Sequence, residues 1–131
     1  KDDRYLVADG YDPEKDQVFY RPPGGGIDFG ETSEEALRRE IREEMGFEIR
    51  NTRRLGVLEN IFTFAGRRGH EIVFVYDADP VNTSIYDREE LRGRDSDGRE
   101  FTCHWLDLQS VGPDFPPVYP DGLVELLLQC E

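Results

Sequence analysis

Basic residues are scarce in this chain: 16 lysines and arginines stand against 29 aspartates and glutamates, a formal net charge of −13. Only Lys1 and Lys15 are lysines. Nucleic-acid backbones are held mainly by cations, so a polynucleotide-binding surface is not expected. A small anionic substrate stays compatible, because a bound metal ion would set the local charge. Cysteine is equally short. Cys103 and Cys130 fit neither a disulfide framework nor a zinc motif, and they read as reduced thiols of a cytoplasmic protein. No apolar run approaches the roughly 18 residues of a membrane span, and no signal-peptide pattern is read at the start. No internal repeat or second domain is seen. At 131 residues, the expectation is one domain, 1–131, able to bury a core without staples.

Against these absences stands one dense segment, GGIDFGETSEEALRREIREEMGF, from Gly25 to Phe47. Thr32 followed by Glu35 is a capping box, which satisfies amide donors left without partners in a first helical turn. Gly46 suits the left-handed residue that closes a helix. Leu37, Ile41 and Met45 recur every fourth residue and make an apolar stripe. At about 100° per residue, Glu40, Glu43 and Glu44 fall within roughly 100° on another side of the same helix. Like charges three and four apart repel, so helix stability does not account for them. A hard divalent cation does, because Mg²⁺ prefers carboxylate oxygens and bridges to phosphates. Ahead of the helix, Pro22-Pro23-Gly24-Gly25-Gly26 is neither helix nor central strand, and its glycines let backbone approach a ligand.

The spacing Gly25, Glu31, Arg39-Glu40-Ile41, Glu43-Glu44, Gly46-Phe47 resembles the signature box of the Nudix hydrolases at all nine fixed positions across 23 residues. The resemblance implies an α/β fold, the Nudix α/β/α sandwich around a central mixed sheet. It implies hydrolysis of a nucleoside diphosphate linked to another moiety, with Mg²⁺ or Mn²⁺ as cofactor and a metal-activated water attacking phosphorus. Carried over by position, Glu43 and Glu44 match metal ligands, and Glu40 matches a further ligand or the general base. Gly25 matches the loop glycine whose backbone lies near the metal, with the Gly26 carbonyl close by. Arg39 and Glu31 match a pair that braces loop and helix, and Arg39 is counted with Glu40 and Glu44 in the catalytic set. Glu31 and Arg21 are also candidates for the substrate side. A small nucleotide partner is expected, with neither polynucleotide nor membrane, and a homodimer is among the expected states. The alternative is a catalytically silent nucleotide-binding or sensing module of the same fold. An acidic protein-interaction domain is the third reading.

Elsewhere the pattern gives strands near Arg4–Asp9, Gln17–Arg21, Asn51–Phe64, Glu71–Asp79 and Phe101–Leu106, and a last helix near Gly122–Gln129. The nearly all-apolar run Ile72–Tyr76 reads as a strand covered on both faces. Asp12-Pro13 and Gly66–Gly69 are turn signals. Family members usually have another strand upstream of the point where this chain opens. Asn82–Glu100 is a polar stretch of 19 residues, read as a loop with a short helix through Asp87–Leu91. Loops of that length are commonly functional, and the family's equivalent often supplies a catalytic glutamate. Glu89, Glu90 and Glu100 are therefore candidate bases, and so is Glu71 beside His70. Tyr119 is either a packed aromatic or a base-stacking one. Which nucleotide is cleaved is not legible.

Overall fold

The computed structural model describes residues 3–130, so the strand expected upstream lies outside the described residues. Strands β1 (Arg4–Asp12) and β2 (Gln17–Arg21) form a hairpin, and a long ribbon is made by β3 (Ile49–Phe64) and β4 (Arg67–Pro80). Two further strands, β5 (Glu90–Arg94) and β6 (Glu100–Asp107), form a third hairpin. The helices are α1 (Ser33–Met45) and α2 (Leu123–Gln129), with short 3₁₀ turns at Thr83–Asp87 and Leu108–Ser110. Four strands join in the order β2-β1-β6-β5, while β3 and β4 pair only with each other among the described residues.

Strand β1 organises the four-stranded sheet, because its first half pairs with β6 (Ala8 opposite Cys103) and its second half with β2 (Asp9 opposite Tyr20). Its neighbouring residues Val7 and Ala8 are both buried, on opposite faces of the pleat. Val7 packs with Val75, Leu106, Leu123 and Leu127, the side covered by α2. Ala8 packs with Ile85, Leu91 and Cys103, against which Met45 and Phe47 close from the end of α1. Burial holds the Cys103 thiol up to about 12, so it is an inert core group. The stripe side of α1, through Leu37 and Ile41, lines an apolar cavity of about 150 Å³ that also touches Val7, Val75 and Leu123. The acidic side is thereby left facing away from the core.

Three expectations change. Every ladder among the described residues is antiparallel, and the only parallel contact is an isolated bridge, Tyr20 to Val118, so no mixed sheet is formed. The stretch 82–100 is not a structureless loop: it carries the 3₁₀ turn, ending where the short helix was expected to start, and then β5. In β5 only Leu91 and Gly93 point inward, so a period-2 signal was carried by one apolar side chain and one residue without any. The strand through Ile72–Tyr76 is covered on one face only, because Ile72 is 54% exposed and Phe74 36%. Among the described residues, no helix is long and apolar enough to cross a membrane.

Candidate active site

Helix α1 is fixed at both ends by its own sequence. The Thr32 hydroxyl accepts from the Glu35 amide at 3.1 Å, and the Glu35 carboxylate accepts from the Thr32 amide at 2.9 Å. At the other end Gly46, at φ 78°, donates its amide to Ile41 and Arg42 carbonyls. The loop before the helix is tied to it by Glu31, whose carboxylate accepts from the Asp28 amide at 2.8 Å and from Arg39 at 2.7 Å. The Arg39 guanidinium, followed by the Asp28 amide, holds that carboxyl down to about 2. Glu31 thus sits as a brace between loop and helix.

Arg39 is the hub. Its Nε–H goes to Glu31, one Nη to Glu40 at 2.9 Å and Glu43 at 3.3 Å, and the other Nη to Glu31 at 2.7 Å and the Gly26 carbonyl at 2.9 Å. Those contacts use all five of its N–H donors. Arg39 therefore organises carboxylates and has none left for a substrate. Gly25 is packed against the same group: a Cβ there would lie 2.3 Å from the Glu40 carboxyl carbon. The side chain of Glu40 is only 13% exposed, whereas that of Glu43 is 60% exposed.

Glu44 lies behind them. Its carboxyl is pushed up to about 7, first by burial, then by its hydrogen bond with Glu40 and the charges of Glu40 and Asp95; Arg21 opposes the shift. Burial and a neighbouring carboxylate both disfavour the charged form of a carboxyl group. Facing them is the tip of the β5–β6 hairpin. One wall of a cleft of about 360 Å³ is made by Gly26, Asp28, Arg39, Glu40, Glu43 and Glu44; Arg94, Asp95 and Ser96 make the other. Asp95 is fixed, because its Oδ1 accepts from the Asp97 and Arg99 amides at 3.0 and 2.9 Å. Gly93 brings β5 close to α1, since a Cβ on it would meet the Glu44 carbonyl oxygen at 3.0 Å and the Phe101 ring at 2.4 Å.

A family model for the NUDIX domain matches residues 1–124 of the 131. The chain belongs to the Nudix hydrolase family. Nudix proteins act on phosphoric anhydrides and generally use divalent metal ions. The Nudix helix of this chain offers a donor set that fits such an ion in kind. All its candidate donors are oxygens, and the cleft sets five carboxyl groups against two guanidiniums. Burial and Glu40 push the Glu44 carboxyl up to about 7, and a bound dication would favour its ionised form. Among the described residues, no three acidic, histidine or cysteine side chains already converge on one point, so closing on an ion requires them to rotate.

The remaining expected residues of this Nudix domain lie in different places. Arg21 ends β2, exposed, and its side chain makes no hydrogen bond or ion pair among the described residues, although its charge reaches Glu44. Glu71, Glu89, Glu90 and Glu100 do not line the cleft. Glu71 accepts from Asn60 at 3.1 Å on the ribbon, and Glu90 pairs with Arg92 at 3.7 Å. Glu100 stands opposite Arg94 in the β5–β6 ladder and accepts from it at 2.8 Å. His70 faces Glu59 at 3.3 Å, and the Tyr119 ring lies 5.5 Å from Phe19 as a packed aromatic. Asp95 and Arg94 were missed as site residues. Their signal was Asp95-Ser96-Asp97-Gly98, with Gly98 at φ 82°, the turn chemistry of a tight hairpin inside the polar stretch.

Proposed function

We propose that this chain is a metal-dependent pyrophosphohydrolase of a small nucleotide, cleaving a nucleoside diphosphate linked to another moiety. The observation that carries this reading is the gathering of Glu40, Glu43 and Glu44 on one wall of an acidic cleft, with Glu40 and Glu43 held by the fully committed Arg39. Such an arrangement is costly as a plain surface and is relieved by a dication. Glu43 and Glu44 would hold Mg²⁺ or Mn²⁺, with Glu40 as ligand or base and Gly25 as the backbone neighbour. When bound, the metal supplies a water of lowered pKa and neutralises charge on phosphate oxygens.

The chain's own groups do the rest. Arg39 fixes Glu40 and Glu43 against Gly26, so the carboxylates meet the ligand with little reorganisation. Hydrolysis adds water across one P–O–P bridge. Glu40, as base, would take the water's proton, and the departing phosphate oxygen keeps the bond's electrons. Arg21, exposed and close enough for its charge to reach Glu44, would meet the anionic substrate. Leu123 and Leu127 of α2 pack on the Val7 side of the four-stranded sheet and Met45 of α1 on the Ala8 side, which is compatible with α/β/α layering.

The test is phosphate release from a panel of nucleoside diphosphate derivatives with Mg²⁺ or Mn²⁺, beside a Glu44→Gln sample. Turnover of one substrate class is expected, falling at least about a hundredfold in the variant. Full hydrolysis by Glu44→Gln at saturating Mg²⁺ would overturn the reading. Nucleotide binding without turnover would assign a sensing module instead.

A further inference from the structure

Among the guanidiniums lining the cleft, Arg39 has every N–H committed to protein oxygens. The other, Arg94, is held differently. Its Nη2 donates to Glu100 at 2.8 Å, and both side chains are 63% exposed. A pair that wet is weak and exchangeable, because water competes for both partners. The backbone beneath it is rigid: Arg94 ends β5, directly opposite Glu100, and the turn that follows is locked by Asp95 accepting two amides. The guanidinium is therefore delivered to the acidic cleft from a fixed strand end, with a partner that an anion can replace.

We infer that Arg94 is a phosphate-binding residue of this cleft, and that Glu100 occupies it as an exchangeable stand-in when no anion is bound. The inference rests on the hydrolase reading for one point, that the anion is a diphosphate. Arginine suits that task, since its planar fork matches two phosphate oxygens at once. A carboxylate that competes for the same fork lowers affinity for the ligand, so Glu100 sets how readily Arg94 is released.

The experiment is calorimetric titration of methylenediphosphonate, an uncleavable P–C–P diphosphate, into Mg²⁺-saturated protein. Arg94→Ala is expected to weaken binding about tenfold, with Arg94→Lys in between. Glu100→Gln is expected to tighten it, because the competing carboxylate is gone. Glu90→Gln, which removes an equal charge at the other end of β5, should leave affinity within about twofold. Mg²⁺ titrated alone should bind Arg94→Ala as it binds the unaltered protein. Unchanged diphosphonate affinity in Arg94→Ala overturns the inference. So does a loss in Glu100→Gln that parallels the loss in Arg94→Ala, which would make the pair a structural tie, and so does failure of the unaltered protein to bind the probe. Turnover that survives with diphosphonate affinity independent of Arg94 leaves the hydrolase standing and removes this site. Arg94-dependent binding without turnover does the reverse.

Discussion

The helix wall of the cleft, Gly25 to Met45, is fastened almost wholly within itself, whereas the hairpin wall, Arg94 to Ser96, is placed by distant strands. On the first wall every partner of Arg39 lies within 13 residues, from Gly26 to Glu43, and both helix caps are local. On the second, the turn is local, but its position beside Glu44 depends on β6 pairing with β1 and on Leu91 seated against Cys103. A wall built from local contacts writes itself into a continuous motif. A wall built from pairing between residues about a hundred positions apart does not, because loop-closure and burial, and no short pattern, decide where it lands.

Breaking the hub should show the contrast most strongly. Arg39→Ala leaves Glu31, Glu40 and Glu43 without their shared donor, and Mg²⁺ affinity should fall about 10- to 100-fold by calorimetry. Arg39→Lys keeps the charge but replaces five donors with three, so it should recover only part of the loss. Next in size is Gly25→Ala. Its methyl would sit 2.3 Å from the Glu40 carboxyl, so Glu40 must move, and hydrolysis should drop about tenfold or more with folding preserved by circular dichroism. An unchanged rate would mean that Glu40 has room elsewhere and that the helix wall is less committed than its hydrogen bonds indicate.

The hairpin wall should respond in stability before it responds in chemistry. Gly98 adopts φ 82°, so Gly98→Ala should lower the free energy of unfolding by about 1 kcal/mol in urea melts. Metal affinity should stay the same. A change in Mg²⁺ binding would show the two walls to be coupled more tightly than the local contacts suggest.

The smallest expected effect is on the pH dependence of the metal-free protein. Glu44 holds its proton to about 7 in the fold and releases it near 4.5 when unfolded, so the native state binds more protons between these values. Its contribution to stability is therefore lost as pH rises from about 4.5 to about 7. Glu31 runs the other way: held at about 2 against an ordinary 4.5, it stabilises above that range and loses its contribution as pH falls towards 2. Urea midpoints in EDTA at pH 5 and pH 8 should show the Glu44 slope, and Glu44→Gln should abolish it. A slope that persists in the variant would place that proton on another group.

Much of the fold was legible, and its errors have physical causes. The helix from Ser33 to Met45 followed from its caps and stripe, and the ribbon from its apolar run and the turn signal at Gly66, although Arg67–Gly69 already belong to β4. The two-sided burial expected at Ile72–Tyr76 failed because apolar residues on both faces of a strand do not say whether a second layer covers both; here Ile72 and Phe74 meet solvent. The candidate glutamates after Asn82 were sought in a loop, whereas the β5–β6 hairpin turns Glu90 and Glu100 toward arginine partners and brings Asp95 forward instead.

By itself, then, the sequence determined the family's motif and the acidic face of α1, because each depends on spacings within one helix and its leading loop; the brace between Glu31 and Arg39 was implied by the family resemblance. Only the tertiary structure decided that all of Arg39's donors are consumed, that partial burial pushes the Glu44 carboxyl up, and that Arg94 and Asp95 face it. Those are properties of burial and of the meeting of separate strands, and a charge acquires its pKa and its partners from the groups that the fold packs around it.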